Sequence, residues 1–201
     1  MSLLIPSSVA PRVFSRPFQK WMRWTNVGRI EKMARHFEDW LEPNQRIVDI
    51  GAGPCLMSEL FADRGHQVTP LDVRNLSCAR ELDSVVYDGR NMPFDDNAFD
   101  VGLIQFVLHH IADQDQVLRE ALRVAPRLIV GEDLIHGGLQ TWFTYAWDSI
   151  LNSEYIGHPH SNRSEDGWRA KFDELGCDIV NIRYCRWGGM SQAMFDVRRR
   201  S

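Results

Sequence analysis

The sequence predicts an α/β fold in which a parallel sheet carries helices on both faces and ends in an antiparallel hairpin. Short apolar runs alternate with amphipathic stretches from about residue 45 to residue 131, the rhythm of repeated βα units. The last two strand-like runs, 178–184 and 191–197, are joined only by residues 185–190. That link is too short for a parallel crossover, which needs about a dozen residues, so the two strands must run antiparallel. A chain of 201 residues with 44% hydrophobic and 25% charged content can bury one good core, so one main domain is the default.

The first thirty residues stand apart. Arg12, Arg16, Lys20, Arg23 and Arg29 all precede the first acid, Glu31, and Phe14, Phe18, Trp21 and Trp24 lie among them. Pro6, Pro11 and Pro17 break any long helix before about residue 18. This divides the chain into a basic aromatic arm, residues 1–28, and a single domain, residues 29–201. An Arg-rich, acid-poor leader reads as an organelle transit peptide, a basic aromatic segment as a peripheral contact with an anionic membrane. The plainer reading is an arm that packs its aromatics over the domain or its ligand, and composition alone does not separate the three. No apolar h-region for secretion is present.

From Ile30 the apolar positions Ile30, Met33, Ala34, Phe37 and Leu41 follow a helical stripe, ended by Pro43-Asn44. Ile47-Val48-Asp49-Ile50 reads as a buried strand running into the tight turn Gly51-Ala52-Gly53-Pro54. Leu56, Met57, Leu60 and Phe61 make the next helix, stopped by Gly65. Strands are then expected at 68–71 ending on Asp72, at 85–87 ending on Asp88, and at 99–106. Val117, Leu118, Ala121 and Leu122 mark a helix before the strand 127–131. Trp168, Phe172 and Leu175 mark a short one stopped at Gly176, ahead of the hairpin.

Composition excludes several classes of function. Lys plus Arg number 23 against 27 for Asp plus Glu, a formal net charge of −4. Nucleic-acid binding through bulk positive charge is disfavoured, because it rests on neutralising phosphates. No run reaches the roughly 18–20 apolar residues a membrane-spanning helix needs, so stable insertion is not expected. Cys55, Cys78, Cys177 and Cys185 are scattered, with no C-x-x-C pair. Neither a disulfide framework nor a structural zinc site is expected, and a reducing, cytoplasmic setting fits best.

In an open α/β sheet the ligand sits outside the carboxyl ends of the strands, where three acids fall. Asp49 lies just before the Gly51-Ala52-Gly53 turn, whose glycines let a ligand approach the backbone. Asp72 comes 21 positions after Gly51, the separation at which an acid accepts from ribose hydroxyls. Asp88 ends the third strand, placed to accept from an exocyclic amine or to set its neighbouring N–H groups against a purine. Together the three imply a nucleoside-containing cofactor. Taken singly, each also reads as a turn cap or helix N-cap. A dinucleotide fingerprint fails at its third glycine, where Leu56 stands, and Pro54 removes an N–H from the helix start. A carboxylate beside the turn suits a ligand bearing an ammonium or sulfonium group better than a pyrophosphate.

The chain resembles class I S-adenosylmethionine-dependent methyltransferases, closest to the small-molecule branch of the ubiquinone/menaquinone-biosynthesis type. The matching segments are Val48 to Pro54, Leu71-Asp72-Val73, Asp88 to Phe94, Asn97 to Val101 and Val107-Leu108-His109-His110-Ile111. The resemblance covers roughly residues 40–135. It implies a Rossmann-like, doubly wound, seven-stranded sheet, parallel except for an antiparallel C-terminal hairpin strand, and S-adenosylmethionine as cofactor. By the same resemblance Gly51 and Gly53 face the methionine part of the cofactor, with Ala52 among the cofactor-binding residues and Asp49 supporting the loop. Asp72 holds the ribose, Asp88 and Gly89 the adenine, Val73 is a further cofactor-binding position, and Gln105 stands where the family often contacts the cofactor. His109-His110 falls where the family commonly begins the helix after strand four.

The acceptor is less defined. Residues of about 134–165 should cover it, and Trp142, Phe143, Tyr145, Trp147 and Tyr155 suggest a small apolar or aromatic molecule. A helix packed on the core explains the same aromatics equally well. Gln105-Phe106-Val107-Leu108 lacks the Asn/Asp-Pro-Pro-aromatic signature of nucleobase amino methylation. If the acceptor must lose a proton, the base candidates are His110, His158 and His160. No carboxylate or cysteine cluster accompanies the last two, so no metal site is expected. Two further readings stay open: an S-adenosylmethionine-binding protein without activity, and an NAD-dependent oxidoreductase. Oligomeric state is not legible.

Overall fold

The computed structural model describes residues 10–135, 163–187 and 190–200. Seven strands form one sheet: β1 (Arg46–Ile50), β2 (Gln67–Asp72), β3 (Val85–Val86), β4 (Val101–Gln105), β5 (Arg127–Leu134), β6 (Cys177–Trp187) and β7 (Met190–Arg199). Their order is β3-β2-β1-β4-β5-β7-β6. Strands β1 to β5 pair in parallel, and β7 runs antiparallel to both β5 and β6. The predicted fold class is therefore the observed one. The winding reverses between β1 and β4, which opens a crevice at their carboxyl ends.

Side-chain alternation distributes the core between two faces. Ile47, Val101, Leu103 and Ile129 turn to one face, with Ala34 at the end of α1 (Arg16–Ala34) and with Met57 and Phe61 of α2 (Leu56–Asp63). Val48, Ile50, Ile104, Leu128 and Val130 turn to the other. There they meet Val117, Leu118, Ala121 and Leu122 of α3 (Gln114–Val124), and Trp168 and Phe172 of α4 (Glu165–Glu174). Burying a large apolar side chain contributes about 1.5–3 kcal/mol, so these two clusters carry most of the stability. The Arg127 guanidinium donates to both Asp196 carboxylate oxygens, at 2.8 and 2.9 Å, and to the Trp40 carbonyl at 2.7 Å. That buried fork ties the antiparallel end of the sheet to the turn before β1.

Pro70 sits inside β2 because of where its missing N–H would point. The Leu71 carbonyl faces β1, accepting from Gly51 and Ala52, so Pro70 faces the β3 side. There β3 pairs only with Leu71 and Asp72, and no ladder bond is lost.

The structure corrects several boundaries. The helix expected to run from Ile30 to Pro43 stops at Ala34. His36 and Phe37 donate three residues back, to Met33 and Ala34, and a 3-10 turn comes next at Glu38–Trp40. Phe37 and Leu41 still reach the core, so the apolar period outlasts the helix. At its other end α1 starts at Arg16, with Pro17 in the first turn where a proline is tolerated. It runs unbroken across the boundary drawn between residues 28 and 29. Strand four begins at Val101 rather than residue 99, and strand three is two residues long. His109-His110 lies not at the start of the next helix but in a 3-10 turn, Leu108–His110, and α3 begins at Gln114.

Candidate functional site

The turn after β1 is held open by its backbone conformation. Gly51 and Gly53 take φ of +71° and +49°, and Cys55, the N-cap of α2, takes +57°. Gly51 and Ala52 donate their N–H groups to the Leu71 carbonyl at 2.8 and 3.1 Å. Gly53 donates to Asp72 Oδ2 at 2.8 Å. The turn is thus stitched to the end of β2, with Asp72 as its outer clasp. A Cβ on Gly51 would lie 2.6 Å from both methyls of Val107, so only glycine fits beneath that side chain. Above Gly53 the nearest atom to such a Cβ would be the Gly51 carbonyl at 4.0 Å, which leaves an open cradle over backbone. Leu56 is buried at the start of α2, filling the position that a dinucleotide fingerprint keeps as glycine.

The acids gather at this turn. Asp49 points toward α2 and accepts from Ser58 Oγ at 2.5 Å. Burial pushes the Asp49 carboxyl up to about 6; the Ser58 bond opposes this and the Asp72 charge adds to it. Neither Asp49 nor Asp72 forms an ion pair among the described residues. Burial, aided by Asp72, Asp88 and Glu120, pushes the Tyr87 phenol up to about 12. Burial also pushes the Cys55 thiol up to about 12. Both groups are neutral at physiological pH and add no charge to a corner in which, among the described residues, two carboxylates have no ion-pair partner. The corner suits a ligand that brings a positive charge.

Asp49→Asn tests this directly. The folded-state pKa lies above the ordinary 3.8, so the wild type loses stability as pH rises from about 4 to 6. Asparagine keeps an acceptor for Ser58 and has no proton to lose. The variant should therefore be more stable by roughly 1–3 kcal/mol at pH 8, with the gain fading below about pH 4. Urea melts at the two pH values read this, and equal stability at pH 8 would refute the strained carboxylate.

Asp88 lies at the exposed edge beyond β3. Its Oδ1 accepts from the Arg90 and Asn91 N–H groups, both at 2.8 Å. Those bonds hold its carboxyl below the usual range. It caps the turn through Gly89, whose φ is +77°. Val73 is 53% exposed, and its Cγ1 would lie 3.3 Å from a Cβ on Gly89. An apolar surface therefore stands open beside Asp72 and Asp88.

The ends of β4 and β5 make the other wall. Phe106 takes φ +57° and donates to the Gly131 carbonyl at 2.8 Å. Glu132, only 1% exposed, braces the turn from Val107 to His109. Its Oε1 accepts from the Val107 and Leu108 N–H groups at 3.1 and 2.7 Å, and its Oε2 bonds His109 Nδ1 at 2.7 Å. His110 is half-buried with its ring 4.0 Å from that of His109. Gln105 turns toward β5, where Nε2 donates to the Ile129 carbonyl at 2.9 Å. Its buried Oε1 has no hydrogen-bond partner among the described residues, and a Cβ on Gly131 would lie 2.4 Å from it.

Of the residues expected at the site, Asp49, Gly51, Ala52, Gly53 and Asp72 form one bonded corner. Val73, Asp88 and Gly89 form its exposed extension, and Gln105 is engaged by β5. His158, His160 and most of the segment 134–165 lie outside the described residues. Among the described residues no group of three or more His, Cys, Asp or Glu could hold a metal. Sequence reasoning missed Ser58, Val107 and the Glu132–His109 pair. Only Glu132 left a signal, as an acid at the end of the otherwise apolar run Leu128 to Gly131.

Residues 48–127, 80 of the 201, match the family model described as "Methyltransferase domain". The demethylmenaquinone methyltransferase of Paenarthrobacter aurescens is 33% identical over 118 residues, which are 53% of this chain and 47% of that protein. The chain thus spans about half the length of the curated relatives it matches. Among solved structures, magnesium protoporphyrin IX methyltransferase from Synechocystis PCC 6803, solved with bound S-adenosylhomocysteine, aligns at TM-score 0.62 and 15% identity. That alignment covers 95% of this chain and 90% of the other. The [4+2]-cyclase SpnF aligns at TM-score 0.63 and 18% identity, over 86% and 80%. At such identities the likeness is one of fold, and the fold alone does not choose the reaction.

Proposed function

We propose, for a chain whose residues 48–127 match the methyltransferase domain family, that it transfers the methyl group of S-adenosylmethionine to a small aromatic acceptor by in-line displacement. The observation that carries this reading is the corner at Gly51–Gly53: a cradle open above Gly53, beside two carboxylates that form no ion pair among the described residues. Bound there, S-adenosylmethionine supplies an already activated sulfonium methyl. Asp72 would hold the ribose hydroxyls, and the Gly53 region the aminoacyl part, with Asp49 as a buried negative charge behind it. Val73 and Gly89 would flank the adenine.

The rest of the chemistry is alignment and exclusion of water, which supply much of the rate of such a displacement. Val107, pressed over Gly51 and held by Glu132, would form the floor at the end of β4. Where a ring carbon or hydroxyl must lose a proton, His110 is the described histidine at that end of the sheet with a partly accessible ring. His109 is buried against Glu132 and serves the wall instead.

A quinol-type acceptor is favoured by the relative named demethylmenaquinone methyltransferase, 33% identical over 118 residues. Transfer of a labelled methyl group from S-adenosylmethionine to a chemically reduced naphthoquinone tests the proposal. Methylated naphthoquinol above the no-enzyme control is expected. Incorporation into phenols or carboxylates but not into the naphthoquinol would move the acceptor class elsewhere.

A further inference from the structure

We propose that the outward face of α1 docks on an anionic phospholipid bilayer. This is independent of which acceptor the enzyme uses. One side of the helix is committed to the domain: Ala34 is fully buried, Ile30 and Met33 pack on the core, and Arg23 pairs with Glu59 of α2. Just before it, Arg12 bonds Asp83 and the carbonyls of Ala79 and Leu82 at 2.7, 2.6 and 3.2 Å. The helix is therefore held in place.

Its other side does not present the polar surface expected of a helix facing water. Trp24 is 83% exposed, Trp21 53%, Val27 39% and Phe18 37%. Of nine large apolar side chains exposed among the described residues, five lie between Val13 and Val27. This is a patch rather than scatter. The Phe14, Phe18 and Trp21 rings touch in sequence, with centroids 4.7 and 5.5 Å apart. Lys20, Arg23, Trp24, Val27 and Gly28 line a hollow of about 530 Å³ beside them, and nothing lies within 4 Å of where a Cβ on Gly28 would stand.

Charge selects the occupant. Arg16 and Lys20 are exposed among the aromatics, and no acid precedes Glu31 in a chain whose net charge is −4. A two-fold contact between copies of this chain would bring these cations toward their own equivalents. An anionic bilayer neutralises them and takes the indole rings at headgroup level, where an apolar body and an N–H are both accommodated. No helix among the described residues is long and apolar enough to cross a membrane, so the contact is peripheral. Arg12 and the Val13 N–H, which bonds the Asn75 carbonyl at 3.0 Å, tie the start of α1 to the segment after β2.

Co-sedimentation of the full chain with vesicles of phosphatidylcholine alone, or mixed with an equal part of phosphatidylglycerol, tests the proposal. Binding to the mixed vesicles is expected, about tenfold weaker to phosphatidylcholine alone and weakened by added salt. A Trp21→Ser/Trp24→Ser variant and an Arg16→Glu/Lys20→Glu variant should each lose at least about tenfold in partitioning. Both should keep wild-type melting and wild-type S-adenosylhomocysteine binding, which separates lost docking from lost fold. No sedimentation of the wild type with either vesicle would overturn the proposal, as would equal binding by the variants. A dimer seen by light scattering without lipid, and abolished in the tryptophan variant, would assign the face to a second copy instead.

Discussion

Asp72→Ala is expected to weaken S-adenosylhomocysteine binding roughly 10²–10³-fold, the loss of one or two hydrogen bonds to a charged acceptor. In the free protein the carboxylate already accepts from Gly53 N–H at 2.8 Å and from Arg74 N–H at 3.3 Å. It is therefore already fixed in place, and the proposed role of holding ribose hydroxyls would need no reorganisation. Stability should change little. The variant loses the clasp on Gly53, but it also removes a charge that pushes the Asp49 carboxyl up. Calorimetric titration gives the affinity and a thermal melt the fold. Asp72→Asn, which keeps an acceptor but no charge, should fall between wild type and alanine. Unchanged affinity in a folded alanine variant would remove Asp72 from the site.

Glu132→Ala is the largest stability loss expected, about 3–5 kcal/mol, because it strands buried partners rather than merely deleting a contact. The Val107 and Leu108 N–H groups and the His109 ring all turn to this one carboxylate. The same change should reach the glycine corner. Val107 fits so closely over Gly51 that a single added carbon there would clash. A displaced turn would then lower cofactor affinity as well as stability. Glu132→Gln keeps an oxygen for the two backbone donors and should cost less than half as much. Urea denaturation of the three proteins ranks them, and an alanine variant as stable as wild type would show that the pair is incidental.

Periodicity made the sheet and its helices legible, since alternation from Ile47 to Ile50 and in Val101 to Ile104 sends side chains to two opposite faces. What it could not show was where hydrogen bonding stops while the apolar period continues. Phe37 and Leu41 keep the helical spacing but flank a tighter turn, because the core and not the helix is what they serve. The glycine corner was legible because its constraints are local: positive φ at Gly51 and Gly53, an acid one residue before the end of β1 and another at the end of β2. Asp88 showed the limit of that logic. Its carboxylate caps its own turn, and a capping aspartate and a ligand-facing one share a single sequence signature. Glu132 left a signal as an acid ending an apolar run, but its partners were out of reach for the opposite reason. Its partners lie 23 to 25 positions away, and only the parallel pairing of β4 with β5 brings them together.

The most direct measurement is a calorimetric titration of the purified chain with S-adenosylmethionine and S-adenosylhomocysteine, with NAD titrated alongside. Micromolar binding of the first two and none of NAD is the result expected from an open glycine cradle clasped by Asp72 and backed by buried Asp49, with Leu56 at the third glycine position. Folded protein that binds NAD, or that binds none of the three, would contradict that reading of the turn at Gly51.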